Sequence, residues 1–283
     1  GMGPPSSGAL TVGQILGLLA PYDLAALGPN APESWRLIGD ASRLAFADRG
    51  RYMADIDYVP MPLSGLLDPS YLTERSRLLE GENALETVEP GLPGFSHAMN
   101  LADDESIELP STSHFSIVDI YGNAVSMTTT IENGFGSRLM VNGFMLNNEL
   151  TDFSFRTHSD GIPIANALAP GKRPRSSMAP TIVMKNGKPA IITGSPGGSR
   201  IIGYVVKSLI AMIDWKADAQ SAINMPHLVN RFGTFDLEAG TTAEHLAPAL
   251  EKMGFKTSIR ELNSVIHPIM LSEDGLISRE DIR

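Results

Sequence analysis

Ser111-Thr112-Ser113-His114-Phe115-Ser116-Ile117-Val118-Asp119 is the stretch on which the reading of this chain turns. A hydroxyl-rich break follows an acidic segment without periodicity and runs straight into a strand. Short hydroxyl side chains bond to nearby backbone, so such a cluster is ordinarily a turn. The alternative is a chain start made by autoprocessing, where the freed α-amino group acts as base for a hydroxyl nucleophile. The stretch by itself favours the turn, and the motifs downstream weigh against it.

Upstream, residues 11–80 read as helical. Thr11 caps a run with Val12, Ile15, Leu16 and Leu19 on one face, and Asn30-Ala31-Pro32-Glu33 opens a second run through Leu37, Ala41, Leu44 and Ala45. From Glu80 to Pro110 the pattern dissolves into Pro, Gly and eight acidic residues, with no Lys or Arg between Arg77 and Arg138. This predicts an extended, mobile linker over 81–111. Downstream the period changes to two: Phe115 to Ile120 and Asn123 to Thr130 meet at Tyr121-Gly122, and Thr181 to Lys185 and Lys188 to Thr193 meet at Asn186-Gly187, a strong hairpin signal. Helices are expected near 199–215, 217–224 and 243–253. Helices, then antiparallel strands, then helices make an α+β chain of sheets covered by helical layers.

Composition narrows the function. The 283 residues are 42% hydrophobic, enough for a globular core, and 22 basic against 32 acidic residues give a charge of −10. That charge opposes nucleic acid and anionic membrane surfaces and leaves small molecules as the expected partners. Cysteine is absent, so there are no disulfides or thiolate ligands. No apolar run reaches the roughly 18 residues of a membrane span; Ile201 to Ile213 is short and carries Lys207. The six histidines form no ligand cluster and HExxH is missing, so no metal or other cofactor is expected. GxSxG is missing too, which removes the usual sign of a serine triad.

Four further motifs follow in order: Thr128-Thr129-Thr130-Ile131-Glu132, Leu146-Asn147-Asn148-Glu149-Leu150-Thr151-Asp152-Phe153, Lys172-Arg173-Pro174-Arg175-Ser176-Ser177-Met178 and Gly194-Ser195-Pro196-Gly197-Gly198-Ser199-Arg200. With the opening stretch they resemble the small subunit of the gamma-glutamyltranspeptidases, and the likeness runs from about Pro4 to Gly275. Pro4-Pro5-Ser6-Ser7-Gly8 resembles a motif late in the family's large subunit. The resemblance implies an N-terminal nucleophile (Ntn) hydrolase, a four-layer αββα sandwich, with residues 1–80 from the end of the large subunit, 81–111 a linker ending at the processing site and 112–283 the catalytic small subunit. It further implies that about the first half of a full-length member is missing, and with it a partner segment and any export signal. A periplasmic or a cytoplasmic location would both fit.

The resemblance also assigns roles. Cleavage between Ser111 and Thr112 frees Thr112 as nucleophile, and Thr130 orients it; on its own, Thr130 reads as a cross-strand threonine. Gly197 and Gly198 offer backbone N–H groups to an oxyanion; a plain turn is the simpler reading, and a phosphate loop lacks its lysine. Glu132, Glu149 and Asp152, singly ordinary surface charges, are implied to hold the ammonium of a γ-glutamyl donor, and Ser176 and Ser177 its α-carboxylate. Glu132 stands where some members have asparagine, and its extra charge favours an amine-bearing acyl group over plain glutaryl. The family's carboxylate-binding arginine falls in the missing half. His114 reads as a strand histidine near the nucleophile rather than a base. The chain between Asp152 and Ser176 is shorter than in members with a lid, which favours water as acceptor. The expected function is hydrolysis or transfer of γ-glutamyl amides such as glutathione through an acyl-enzyme. The rivals are a glutaryl cephalosporin acylase and an unprocessed, non-catalytic partner. The chain as it stands, lacking part of the surround that self-cleavage needs, is expected to stay uncleaved and inactive.

Overall fold

The computed structural model describes residues 1–94, 100–104, 111–262, 264, 266–272 and 275–278. Helices α1 (Gly8–Leu19), α2 (Pro32–Tyr52) and α3 (Ile201–Ile213) carry the main core. Ile15, Leu18, Leu37, Leu44, Val205 and Leu209 interlock there with Phe235 and Leu237. α2 starts where Pro32 fixes its first turn, with Glu33 near its positive end and Arg49 and Arg51 near its negative end. Thr11 departs from expectation: it lies inside α1, and its hydroxyl donates to the Ser7 carbonyl at 2.9 Å. α2 is also buried on more than its apolar stripe. Arg36, Asp40, Asp48 and Arg49 are all inside, with Arg43 to Asp40 at 2.8 Å and Arg75 to Asp48 at 3.2 Å supplying the partners that buried charge requires.

Strands β1 (Thr112–Val118) and β2 (Ala124–Thr130) form an antiparallel hairpin in which Thr112 faces Thr130 and Ser113 faces Thr129. The hydroxyl-rich break is thus strand from Thr112 onward, because threonines on β2 stand across from it. The strand also ends earlier than expected, since the Asp119 carboxylate accepts from the backbone of Tyr121 and Asn123 and closes the turn. Strands β3 (Thr181–Lys185) and β4 (Lys188–Thr193) pair as read, with Asn186 and Gly187 both at positive φ. A second, three-stranded sheet joins Leu228–Asn230, Thr234–Glu238 and Lys256–Arg260 and packs Phe235 onto α2 at Gly39.

The β1–β2 hairpin stacks on the sheet containing β3 and β4 through polar groups. Ser126 Oγ donates to the Thr193 carbonyl at 2.9 Å and accepts from the Thr181 N–H at 3.1 Å, and Ser116 Oγ donates to the His267 carbonyl at 2.7 Å. Behind that sheet, Ile191 and Val183 pack against Ala211 and Met212 of α3. The outward face of the hairpin carries Phe115 opposite Met127 and Ile117 opposite Val125, all exposed. The first part of the segment read as a linker is extended and tied to the body: Ala84 N–H donates to the Met253 carbonyl, Leu85 N–H to Asp40, and Gly91 N–H to Asp48. Residues 95–99 and 105–110 of it lie outside the described residues. Among the described residues no helix is long and apolar enough to cross a membrane.

Candidate active site

A small pocket is lined by Thr112, Thr130, Glu132, Asp152, Ser176, Ser177 and Gly198, residues drawn from all five of the motifs from Ser111 onward. Thr112 and Thr130 reach it as directly opposed partners of the β1–β2 ladder. Thr130 Oγ1 accepts the backbone N–H of Glu132 at 2.9 Å. That bond closes a tight turn with Glu132 at φ 74°, a left-handed conformation that a non-glycine residue adopts at a cost, and it swings the Glu132 carboxylate inward. Ser111 is exposed immediately before the strand.

Glu149 and Asp152 sit on one 3₁₀ turn, where residues three apart eclipse, so both carboxylates leave the same side. One oxygen from each of Glu132, Glu149 and Asp152 lies within 4.8 Å of the others. Glu132 and Asp152 are buried, against the surface reading each would receive alone. Burial, and then the neighbouring Glu132, push the Glu149 carboxyl above its ordinary range. Its Oε1 is buried with no hydrogen-bond donor among the described residues. Sequence spacing had offered no metal-ligating cluster; these three carboxylates are a group that could hold a metal ion, and equally a cationic part of a substrate.

Ser176 and Ser177 are held by the segment near the start of the chain. Ser176 N–H donates to the Pro5 carbonyl at 3.2 Å, its carbonyl accepts from Ser7 N–H at 2.8 Å, and Ser6 Oγ donates to the Met178 carbonyl at 2.6 Å. Gly8 comes so close that a Cβ there would lie 2.3 Å from the Met178 carbonyl oxygen. Arg175, fully buried, donates to the carbonyls of Arg49 and Met53 and pairs with Asp104 at 3.2 Å. The Pro4-to-Gly8 motif therefore straps the paired serines in place, a role its sequence does not announce.

Gly197 (φ 135°) and Gly198 (φ 58°) occupy conformations that side chains rarely adopt and lead through one 3₁₀ turn into the N-terminus of α3, whose dipole favours negative charge. His114 packs its ring against Gly194, where any Cβ would meet it at 2.2 Å. Its Nδ1 lies 2.8 Å from Thr128 Oγ1 and its Nε2 3.2 Å from Ser116 Oγ. Burial, and secondarily His267, push its pKa down to about 4. His114 thus sits in β1, in keeping with its reading as a strand histidine, and its ring fills the space between that strand and the glycine loop.

Stacked sheets backed by helices are the layered fold of the N-terminal nucleophile hydrolases. The chain matches the gamma-glutamyltranspeptidase family over residues 1–283 and belongs to it. It is 36% identical to the glutathione hydrolase proenzyme of Bacillus subtilis over 89% of its own length and 43% of the relative's. It is 33% identical to the Acylase ACY 1 proenzyme of a Pseudomonas species over 89% of its length and 42% of that protein's. A cephalosporin acylase from Bacillus halodurans shares the fold, with TM-score 0.81 over 98% of this chain and 48% of the other at 24% identity. The chain spans less than half the length of these relatives.

Proposed function

We propose that this chain forms the catalytic part of a γ-glutamyl hydrolase, completed by a partner segment corresponding to the remainder of its relatives' length. Cleavage of the Ser111–Thr112 bond gives Thr112 a free α-amino group, which takes the proton of Thr112 Oγ1 as that oxygen attacks the γ-carbonyl carbon of the donor. The N–H groups of Gly197 and Gly198 stabilise the oxyanion. The C–N bond then breaks, the amino group returns its proton to the leaving amine, and the glutamyl group remains as an ester on Thr112. Water adds to the ester with the amino group again taking a proton, and glutamate leaves as Thr112 Oγ1 is reprotonated.

One observation carries the reading: three carboxylates converge within 4.8 Å, and the pocket that two of them line is also lined by Ser176, Ser177 and Thr112. An α-amino acid presents an ammonium beside a carboxylate, and this arrangement answers both charges next to a nucleophile. A metal ion would use the acids and leave the serines unexplained. Hydrolysis is preferred to transfer because the chain between Asp152 and Ser176 is short. The glutaryl acylase reading is kept alive by the acylase relative, and it is disfavoured because a glutaryl group brings no ammonium to the three acids. Kinetics of γ-glutamyl and glutaryl 4-nitroanilides with the full-length processed protein test the choice. The γ-glutamyl donor should have the higher kcat/KM by roughly tenfold or more, the worth of a hydrogen bond to a charged group. Equal values would overturn it.

A further inference from the structure

Arg49 lies near the C-terminal end of α2 and is buried to 1% exposure. Its Nη2 donates to Ser177 Oγ at 2.8 Å, and its Nε donates to Ser7 Oγ at 2.8 Å. Ser7 Oγ in turn donates to the Ser176 carbonyl at 2.7 Å. One guanidinium therefore reaches both serines, Ser177 through its hydroxyl and Ser176 through a relay into its backbone.

The consequence follows from what each group can do. A guanidinium has donors and no acceptor, whereas a serine hydroxyl has one proton and two lone pairs. With Arg49 donating, Ser177 Oγ can only accept from it, so the hydroxyl keeps its own proton as a donor, and Ser177 lines the same pocket as Ser176, Thr112 and Asp152. The same donation draws electron density from the oxygen and makes its O–H a stronger donor. The fixed positive charge behind the hydroxyl adds to the attraction for an anion in front of it.

We infer that Arg49 is a positioning residue of the carboxylate end of the pocket, which sets Ser177 as an obligate hydrogen-bond donor to the donor's α-carboxylate and thereby selects α-amino-acid acyl groups. The inference rests on the γ-glutamyl reading above. The α-carboxylate is not altered by the reaction, so a hydrogen bond to it is made in the ground and transition states alike, and its loss is read as a rise in KM at little-changed kcat.

The test uses the full-length, processed protein with two anilide donors, γ-glutamyl and 4-aminobutyryl, the second keeping the amine and lacking the α-carboxylate. Arg49→Met should raise KM for the γ-glutamyl donor by about tenfold or more, with kcat within roughly threefold, and leave kcat/KM for the 4-aminobutyryl donor nearly unchanged. Because both substitutions break one unit, Arg49→Met added to Ser177→Ala should cost little beyond Ser177→Ala alone. Thermal unfolding and self-cleavage monitor the fold. Should Arg49→Met fail to fold, Arg49→Lys keeps the buried charge without the planar fork that spans Ser7 and Ser177, and it should give the same selective rise in KM at reduced size. Equal losses for the two donors, a fall in kcat at unchanged KM, or full additivity with Ser177→Ala would overturn the role of Arg49 while leaving the γ-glutamyl reading intact. A wild-type protein that turns over neither donor would overturn both.

Discussion

Thr112 stands directly across the β1–β2 ladder from Thr130, and Thr130 Oγ1 is bonded to the backbone of Glu132, so the proposed nucleophile and the first acid of the three-carboxylate cluster are set by one strand pair and one tight turn. Replacing Thr112 should separate chemistry from folding. Thr112→Ala in the full-length protein should abolish self-cleavage and lower turnover by at least a thousandfold, on the order of nucleophile removals elsewhere, while circular dichroism stays unchanged. Thr112→Ser should keep part of both, since the hydroxyl remains and only the methyl that restricts its rotamer is lost. Normal turnover by the alanine variant would end the assignment.

Glu149 should trade stability for binding. Its carboxyl titrates above its ordinary range because of burial and then Glu132, so the charged form is disfavoured in the folded state. For an acid shifted upward the sign is clear: folding is more favourable below the unfolded pKa, and stability is lost as pH rises through the raised folded value. Glu149→Gln removes that loss and should raise the unfolding midpoint at pH 7.5, yet lower kcat/KM for a γ-glutamyl donor by about tenfold or more. Calorimetric melts and steady-state rates on the same preparation check both halves, and a variant that is neither more stable nor slower would refute the idea.

His114 predicts a pH window. Its pKa of about 4 in the fold, against 6.5 in the unfolded chain, means that the unfolded state takes up the proton first on acidification. Stability is therefore fully present above pH 6.5 and falls as pH drops toward 4, by about 3 kcal/mol in all. Denaturant midpoints for wild type and His114→Gln across that range should converge on acidification, because the substituted protein has no such proton to gain. Parallel curves would refute the assignment.

Gly8 offers a substitution whose sign is unusual. Inside a helix, Gly→Ala ordinarily stabilises by roughly 0.5–1 kcal/mol. Here the added Cβ would lie 2.3 Å from the Met178 carbonyl oxygen and push away the segment bearing Ser176 and Ser177. Gly8→Ala should destabilise by about 1–3 kcal/mol, as overpacking does, and raise donor KM although it lies in α1, outside the pocket. A more stable variant with unchanged KM would contradict the strap.

The sequence by itself determined the hairpins, because period-two runs around Asn186-Gly187 and Tyr121-Gly122 are local signals, and it determined α2, because Pro32 and a regular apolar stripe are local too. The ordered motifs also carried the family. Tertiary structure decided the rest. Thr112 is strand rather than turn because a threonine stands opposite it. Glu132, Glu149 and Asp152 are a cluster rather than three surface acids because one tight turn and one 3₁₀ turn aim them at a common point. Arg49 and Ser177, separated by 128 residues, meet only because α2 runs behind the serine segment and the Pro4-to-Gly8 strap holds that segment against it. A hydrogen bond between residues so far apart in the chain leaves no periodicity and no motif, so only the folded molecule can display it.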